Sequence, residues 1–349
     1  MNSKDLRDFH FTDIDIEDFL NQKALGLDVY IKLNTDRYVK IFLEGDSIST
    51  ERVEFYKNDK KVKKFYLMNG DRGKYLKFCY SLANKTMTDD AVSSEFKTNL
   101  LMSISEKFME DVYFKGLQRE MVEEGKQICK QIHNFITTQK DLYKTLIRLN
   151  EFDPSAFSHS YLVTIFSAAT IMKFESYSRQ LLENTALACM FHDVGKSQLP
   201  KEMVTLLPDE LNQADLERYK QHPGLGADLV ATKPLIHSLV TLIIRQHHEY
   251  VDGSGFPQGL TGKNIIIQGN IVCLVNDFVH LMVDEGINPI GAMRKLLSDE
   301  KNILRYLPDV IEKFIRVFVS HHEFTNPENT TLSKLLNWKE SRFETGEKI

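Results

Sequence analysis

Residues 186–198, ALACMFHDVGKSQ, decide how this chain is read. Leu187–Phe191 is an unbroken apolar run, which predicts a buried helix. His192-Asp193 ends it, directly before Val194-Gly195-Lys196. A histidine and a carboxylate at the end of a buried helix need partners, because a buried unpaired charge is costly. A metal ion is one such partner. Working outward, residues 245–262 read RQHHEYVDGSGFPQGLTG and follow a second apolar run, Leu239–Ile244. Adjacent histidines on a helix point about 100° apart, yet His247 and His248 can both flank an ion near the helix end. The glycine-rich turn behind them, Asp252–Pro257, brings backbone close to the same place.

Each residue also has an ordinary reading. His159 alone is a surface or satisfied core histidine. His222, before Pro223, is a helix terminus. Asp277, inside the apolar run of NIVCLVNDF at 270–278, is a hydrogen-bonded core aspartate. Gly224-Leu225-Gly226 is too short for a phosphate loop and reads as a turn with tight packing. His321-His322 lacks the glycine turn and reads as surface, and His10, His133, His237 and His280 carry no assignment. Of the 11 histidines, however, His159, His192, His222, His247 and His248 fall in one stretch, and the joint pattern outweighs each member.

Together these segments resemble the HD-GYP branch of the HD phosphohydrolase superfamily. ALACMFHDVGKSQ is similar to the family's helix ending in HDxGK. KQHPGLGADL at 220–229 is similar to its KxHPxxG segment, RQHHEYVDGSGFPQGLTG to its HHExxDGxGYPxGLxG signature, and NIVCLVNDF to its late aspartate helix. The resemblance covers roughly residues 150–320. It implies metal ligands at His159, His192, Asp193, His222, His247, His248 and Asp277. Asp193 would bridge two divalent ions, iron or manganese, with His159, His192 and Asp277 completing one site and His222, His247 and His248 the other. Ligation by N and O without thiolate is compatible with either metal.

The resemblance implies a phosphodiesterase acting on cyclic di-GMP. Two close cations bring a bridging water near neutrality in pKa, and the hydroxide attacks phosphorus in line. Asp193 and Lys196 are the catalytic candidates, with Lys196 donating to phosphate or orienting Asp193. Lys196, Gly255 and Phe256 are the substrate-binding candidates. The sequence departs from the family at several points. Ser155 stands where some members carry a third-metal glutamate, Phe256 replaces the signature tyrosine, and 285–289 lacks the basic residues that usually follow the late aspartate. These departures leave a second expectation, a catalytically weak nucleotide-binding or signalling scaffold with an intact metal centre. Di-iron oxygenase chemistry is a third reading, disfavoured by the HHE…DGxG signature.

The rest of the chain sets the frame. With 349 residues it is long enough for two domains. Val29, Ile31 and Leu33, then Val39, Ile41 and Leu43, alternate around Asn34–Arg37 and predict a hairpin with one apolar face. Ser49 is placed to cap a short helix to about Lys57, Lys64–Leu67 reads as a strand, and Asn69-Gly70 as a turn. Residues 1–84 are thus expected to form a small α+β regulatory or sensor-like domain. Residues 85–149 form a helical linker, with Leu101, Ile104, Phe108, Val112, Ile128, Ile132 and Phe135 at helical spacing. That apolar face would pack within the chain or form a homodimer. Residues 150–325, opened by the break at Asp153-Pro154, form an all-α HD-type domain. Residues 326–349 form a tail, in which Leu332–Trp338 would dock as a helix. The fold class expected is mainly α.

A net charge of -5 argues against DNA, and the basic run Lys57–Lys64 is read as a solvated face. Four cysteines without a CxxC pair argue for a reducing, cytoplasmic setting. Neither a secretory signal nor a membrane span is expected. A protein partner would be met through the N-terminal domain.

Overall fold

The computed structural model describes residues 11–15, 26–34, 37–46, 49–139, 142–147, 158–204 and 208–318. The expectations for His10, Asp153-Pro154, Ser155, His321-His322 and Leu332–Trp338 lie outside the described residues. The chain divides into two units, Met1–Phe108 and Met109–Ile349, and is mainly helical with one small sheet.

In the first unit, β1 (Phe11–Asp15), β2 (Val29–Asn34), β3 (Arg37–Phe42) and β4 (Lys64–Met68) form an antiparallel sheet of order β1-β4-β2-β3. The expected hairpin is β2–β3, but its apolar face differs. Register shifts at Val29/Tyr30 and Lys32/Asn34 pair Val29 with Phe42, since a bulge flips the side chains beyond it. Phe42 is therefore buried, while Leu33 and Leu43 are exposed. The Ser49 hydroxyl caps α1 (Thr50–Glu54) by accepting from the Arg52 amide. The chain then widens into a π turn at Phe55–Asp59. Asn69-Gly70 enters a 3₁₀ turn leading into α2 (Arg72–Thr86). α3 (Ser94–Lys115) follows, and Val53, Phe65, Leu67, Tyr75, Leu101 and Ile104 form this unit's core.

The second unit is helical and built round α6 (Ser158–Ile171), whose fourteen residues are all buried. Its sequence, SHSYLVTIFSAATI, is apolar or small on every face, as a central helix must be. Packed on α6 are α7 (Arg179–Phe191), α12 (Ile267–Asp284), α15 (Pro308–Phe318) and α4 (Arg119–Thr138). The apolar face of α4, Ile128, Ile132 and Phe135, is buried against α6 and α7 of the same chain. Between them in sequence run the short helices α5 (Leu142–Ile147), α8 (Lys201–Val204) and α9 (Gln213–Tyr219). α10 (His222–Ala231) and α11 (Ser238–Gln246) pair with each other, while α13 (Pro289–Leu296) and α14 (Glu300–Ile303) lead to α15.

Gly224-Leu225-Gly226 is not a turn but the first turns of α10, started by Pro223, which suits a helix start because proline's missing N–H has no partner there. The tight packing is present. A Cβ on Gly195 would lie 2.0 Å from the His222 carbonyl oxygen and 2.5 Å from the Gly226 amide. The 3₁₀ turn Val194–Gln198 thus touches α10 backbone to backbone. Gly195→Ala is expected to destabilise the fold by about 2–3 kcal/mol through overpacking. The measurement is the urea midpoint at constant m; an unchanged midpoint would remove this contact from the account.

Candidate metal centre

Three helix ends build the cluster. His192 follows α7 and His247 follows α11, while His222 opens α10 two residues past the Lys220 cap of α9. In each, ring Nδ1 faces the carbonyl three residues back: Cys189 O at 2.7 Å, Tyr219 O at 2.8 Å and Ile244 O at 2.6 Å. A carbonyl only accepts, so Nδ1 carries the proton and each Nε2 presents a lone pair. Such a partner fixes both tautomer and ring direction. Three Nε2 atoms then face one carboxylate. His222 and His247 lie 3.2 and 3.7 Å from Asp193 Oδ1, and His192 lies 3.4 Å from Oδ2. These are approaches of lone pair to lone pair rather than hydrogen bonds. Among the described residues, His192 Nε2, Asp193 Oδ1 and His248 Nε2 accordingly have no hydrogen-bond partner although buried. His222 and His247 bring their Nε2 atoms to 3.2 Å.

Orphaned buried acceptors clustered in this way are suited to a cation. The candidate ligand atoms fall into two groups that share Asp193. One is Asp193, His222, His247 and His248; the other is His159, His192 and Asp193. The donor set of imidazoles and a carboxylate fits a divalent ion. Burial, the largest influence, pushes the pKa of His247 down to about 3 and those of His159, His222 and His248 below the usual range. Neutral imidazole is the form that ligates. Burial raises the Asp193 carboxyl, but the Lys196 ammonium beside it outweighs this and holds it well below the ordinary value.

Lys196 donates to Asp193 Oδ2 at 2.7 Å and lies over the Tyr219 ring. Burial would lower its pKa, but the Asp193 carboxylate reverses this and raises it. The lysine thus restrains Asp193. Gly255 packs under the signature loop, where a Cβ would meet the Tyr250 amide at 2.3 Å and the His248 carbonyl at 2.4 Å. Glu249, fully buried, accepts from the Gln258 and Leu260 amides at 2.7 and 2.8 Å and closes that loop. Phe256 stacks on His248, ring centroids 4.5 Å apart.

Asp277 is not brought into either group. Its Oδ2 accepts from the hydroxyls of Tyr250 at 2.8 Å and Tyr306 at 2.6 Å. Burial raises its pKa against the pull of those two bonds. Its neighbour Asn276 meets His159 Nε2 at 3.0 Å instead. Sequence reasoning passed over several participants. Tyr113 donates to the Asp193 carbonyl at 2.8 Å. His280, given no role, lies ring to ring against His159 at 4.5 Å. Tyr306 and Arg305 carry no motif at all. The polar pair Asn276-Asp277 inside an apolar helix was the one visible signal, and only half of it was used.

A cleft of about 430 Å³ opens beside the cluster, lined among others by His248, Phe256, Asp277, His280 and Arg305. No helix of the described residues is long and apolar enough to cross a membrane.

Comparison with known proteins points the same way. An HD domain family model matches residues 141–310. The cyclic di-GMP phosphodiesterase response regulator RpfG of Xanthomonas campestris is 34% identical over 97 residues, 28% of this chain and 25% of its own length. A cyclic di-GMP phosphodiesterase of Thermotoga maritima is 28% identical over 216 residues, 59% of this chain and 56% of its own. The alignments thus span between about a quarter and just over half of these relatives. Bd1817, an HDG"Y"P protein from Bdellovibrio bacteriovorus, superposes with a TM-score of 0.66 at 22% identity, covering 87% of this chain and 98% of that one; this likeness speaks for the fold.

The pKa directions give a pH dependence. A histidine lowered on folding adds stability that is complete above its unfolded pKa near 6.5 and lost as pH falls towards its folded value. His159, His222, His247 and His248 share this sign. Metal-stripped protein is expected to lose stability steadily from about pH 6.5 down to about pH 3, read as a falling urea midpoint. A midpoint flat across that window would show that these imidazoles are not buried as neutral groups.

Proposed function

We propose that residues 141–310, which match an HD domain model, form an HD-GYP-type domain, and that the chain is a metal-dependent phosphodiesterase of cyclic di-GMP. The observation that carries the proposal is the pair of ligand groups joined through Asp193. A two-metal site of this class supplies a nucleophile at neutral pH and offsets charge on the phosphoryl oxygens. In this reading His222, His247 and His248 would hold one ion and His159 and His192 the other, with Asp193 available to both. Asp277 is retained as a further donor to the second ion. None of the described residues hydrogen-bonds its Oδ1, and it lines the cleft through which a phosphate would enter. Iron is the ion proposed, with manganese as the alternative.

The protein's own groups have defined tasks. Lys196 keeps Asp193 ionised and fixed, and the carbonyls of Cys189, Tyr219 and Ile244 accept from Nδ1 of three neutral imidazoles and leave each Nε2 lone pair free. Phe256, stacked on His248 at the cleft wall, offers an aromatic edge to a base. The burial of the cluster limits competing water. A scaffold with an intact centre and weak chemistry is the second reading, favoured by the phenylalanine in place of the signature tyrosine.

Two measurements test the proposal. Asp193→Ala is expected to lose both metals, because its carboxylate faces both groups; two metals per chain by elemental analysis would break the ligand assignment. Metal-loaded protein is expected to cleave cyclic di-GMP and an aryl phosphodiester. Nucleotide binding with turnover of neither would decide for the scaffold.

A further inference from the structure

The cleft is acidic as well as open. Asp277, Asp284 and Glu285 line it, all from α12 and its end, and the stretch 285–289 that follows has no basic residue. A cyclic dinucleotide carries two phosphodiesters. When one docks at the histidine cluster, the other meets a wall that carries Asp284 and Glu285, whose nearest basic partners, His280 and Lys295, are already engaged with them, so an unengaged cation is the group suited to receive it.

Two cationic residues, Lys220 and Arg305, line the cleft. Lys220 is already paired with Glu217 at 2.9 Å. Arg305 is in no ion pair among the described residues. Its guanidinium lies 4.7 Å from the centre of the Tyr250 ring, and that ring is itself held by its hydroxyl's bond to Asp277. The backbone beneath is fixed too. The Arg305 carbonyl accepts from the Val251 amide at 3.0 Å and the Asn270 side chain at 3.4 Å, and Asn270 Oδ1 accepts from the Leu307 amide at 2.8 Å. Arginine combines stacking on an aromatic face with a two-pronged match to phosphate. A stacked, backbone-anchored guanidinium with no carboxylate partner is therefore preorganised for an anion.

We propose that Arg305 binds the phosphate of a cyclic dinucleotide that is not being cleaved, and so selects dinucleotides over simple phosphodiesters. This rests on the function proposed above and adds a specificity residue to it.

The test uses full-length, metal-loaded wild type, Arg305→Gln and Arg305→Lys. Glutamine keeps length and much of the stacking but removes the charge. Calorimetry gives cyclic di-GMP affinity, kinetics give KM and kcat for cyclic di-GMP and for bis(p-nitrophenyl) phosphate, and elemental analysis gives metal content. Arg305→Gln is expected to weaken cyclic di-GMP binding and raise its KM by about 10- to 100-fold, about 1.4–2.8 kcal/mol. Its kcat should fall far less, the single phosphodiester should be affected far less, and metal content should stay the same. Lysine should restore part of the affinity. Equal affinity in wild type and Arg305→Gln overturns the inference while leaving the phosphodiesterase reading standing. Wild type that binds without turnover, with binding lost in Arg305→Gln, upholds the inference and sinks catalysis. Loss of both substrates together with metal would show a merely structural role and overturn it. Wild type that cleaves the aryl diester but neither binds nor cleaves cyclic di-GMP overturns both the nucleotide assignment and the role of Arg305.

Discussion

One carboxylate organises the helical unit. Asp193 is buried, and an ionised carboxylate taken out of water costs several kcal/mol unless its partners are close and well directed. Lys196 supplies one, at 2.7 Å from Oδ2. Oδ1 has only the lone-pair faces of His222 and His247 before it. The lysine alone leaves half of the carboxylate uncompensated, and that half points into a nest of imidazoles that burial keeps neutral. Such an arrangement suits a cation there. The surrounding fold follows from holding it. Gly195 lets the turn after Asp193 press on α10, and Tyr113 ties down the Asp193 carbonyl.

The helix ends explain why histidine serves here. The last carbonyls of a helix have no partner within it. At α7, α9 and α11 the ring of the histidine at the terminus provides the missing donor through Nδ1. Capping thereby decides which nitrogen is left for the metal. The C-termini of α7 and α11 also bring the negative ends of their dipoles to the cluster, which favours a cation there. Local helix chemistry and ligand chemistry are satisfied by the same side chains.

This coupling is why much of the centre could be read in the sequence. His192-Asp193 and His247-His248 each sit where an apolar run stops, and the helix-to-loop transition is a local signal. The hairpin, the Ser49 cap and the buried faces of α3 and α4 were legible for the same reason. The bulge that buries Phe42 was not, because it depends on which strand residue pairs with Val29. The placement of Asp277 was not either. A polar residue in an apolar helix says that something awaits it, but the tyrosines at 250 and 306 that claim its Oδ2 come from other parts of the chain.

The same contrast separates the centre from its cleft. Ligand positions are held by short-range rules, namely a helix end, a carbonyl three residues back and a glycine where two backbones touch. The cleft wall is assembled from α12, the signature loop and the α14–α15 turn, none of which is bound by those rules to carry a given charge. Arg305 reaches the cleft only because Val251 and Asn270 pin its backbone from two different elements. A cation lost from one element can therefore be supplied by another without disturbing the histidines. On this fold, metal chemistry and substrate choice are separable properties. The 285–289 stretch can lack basic residues while the histidine cluster round Asp193 stays intact, because none of those histidines comes from that stretch.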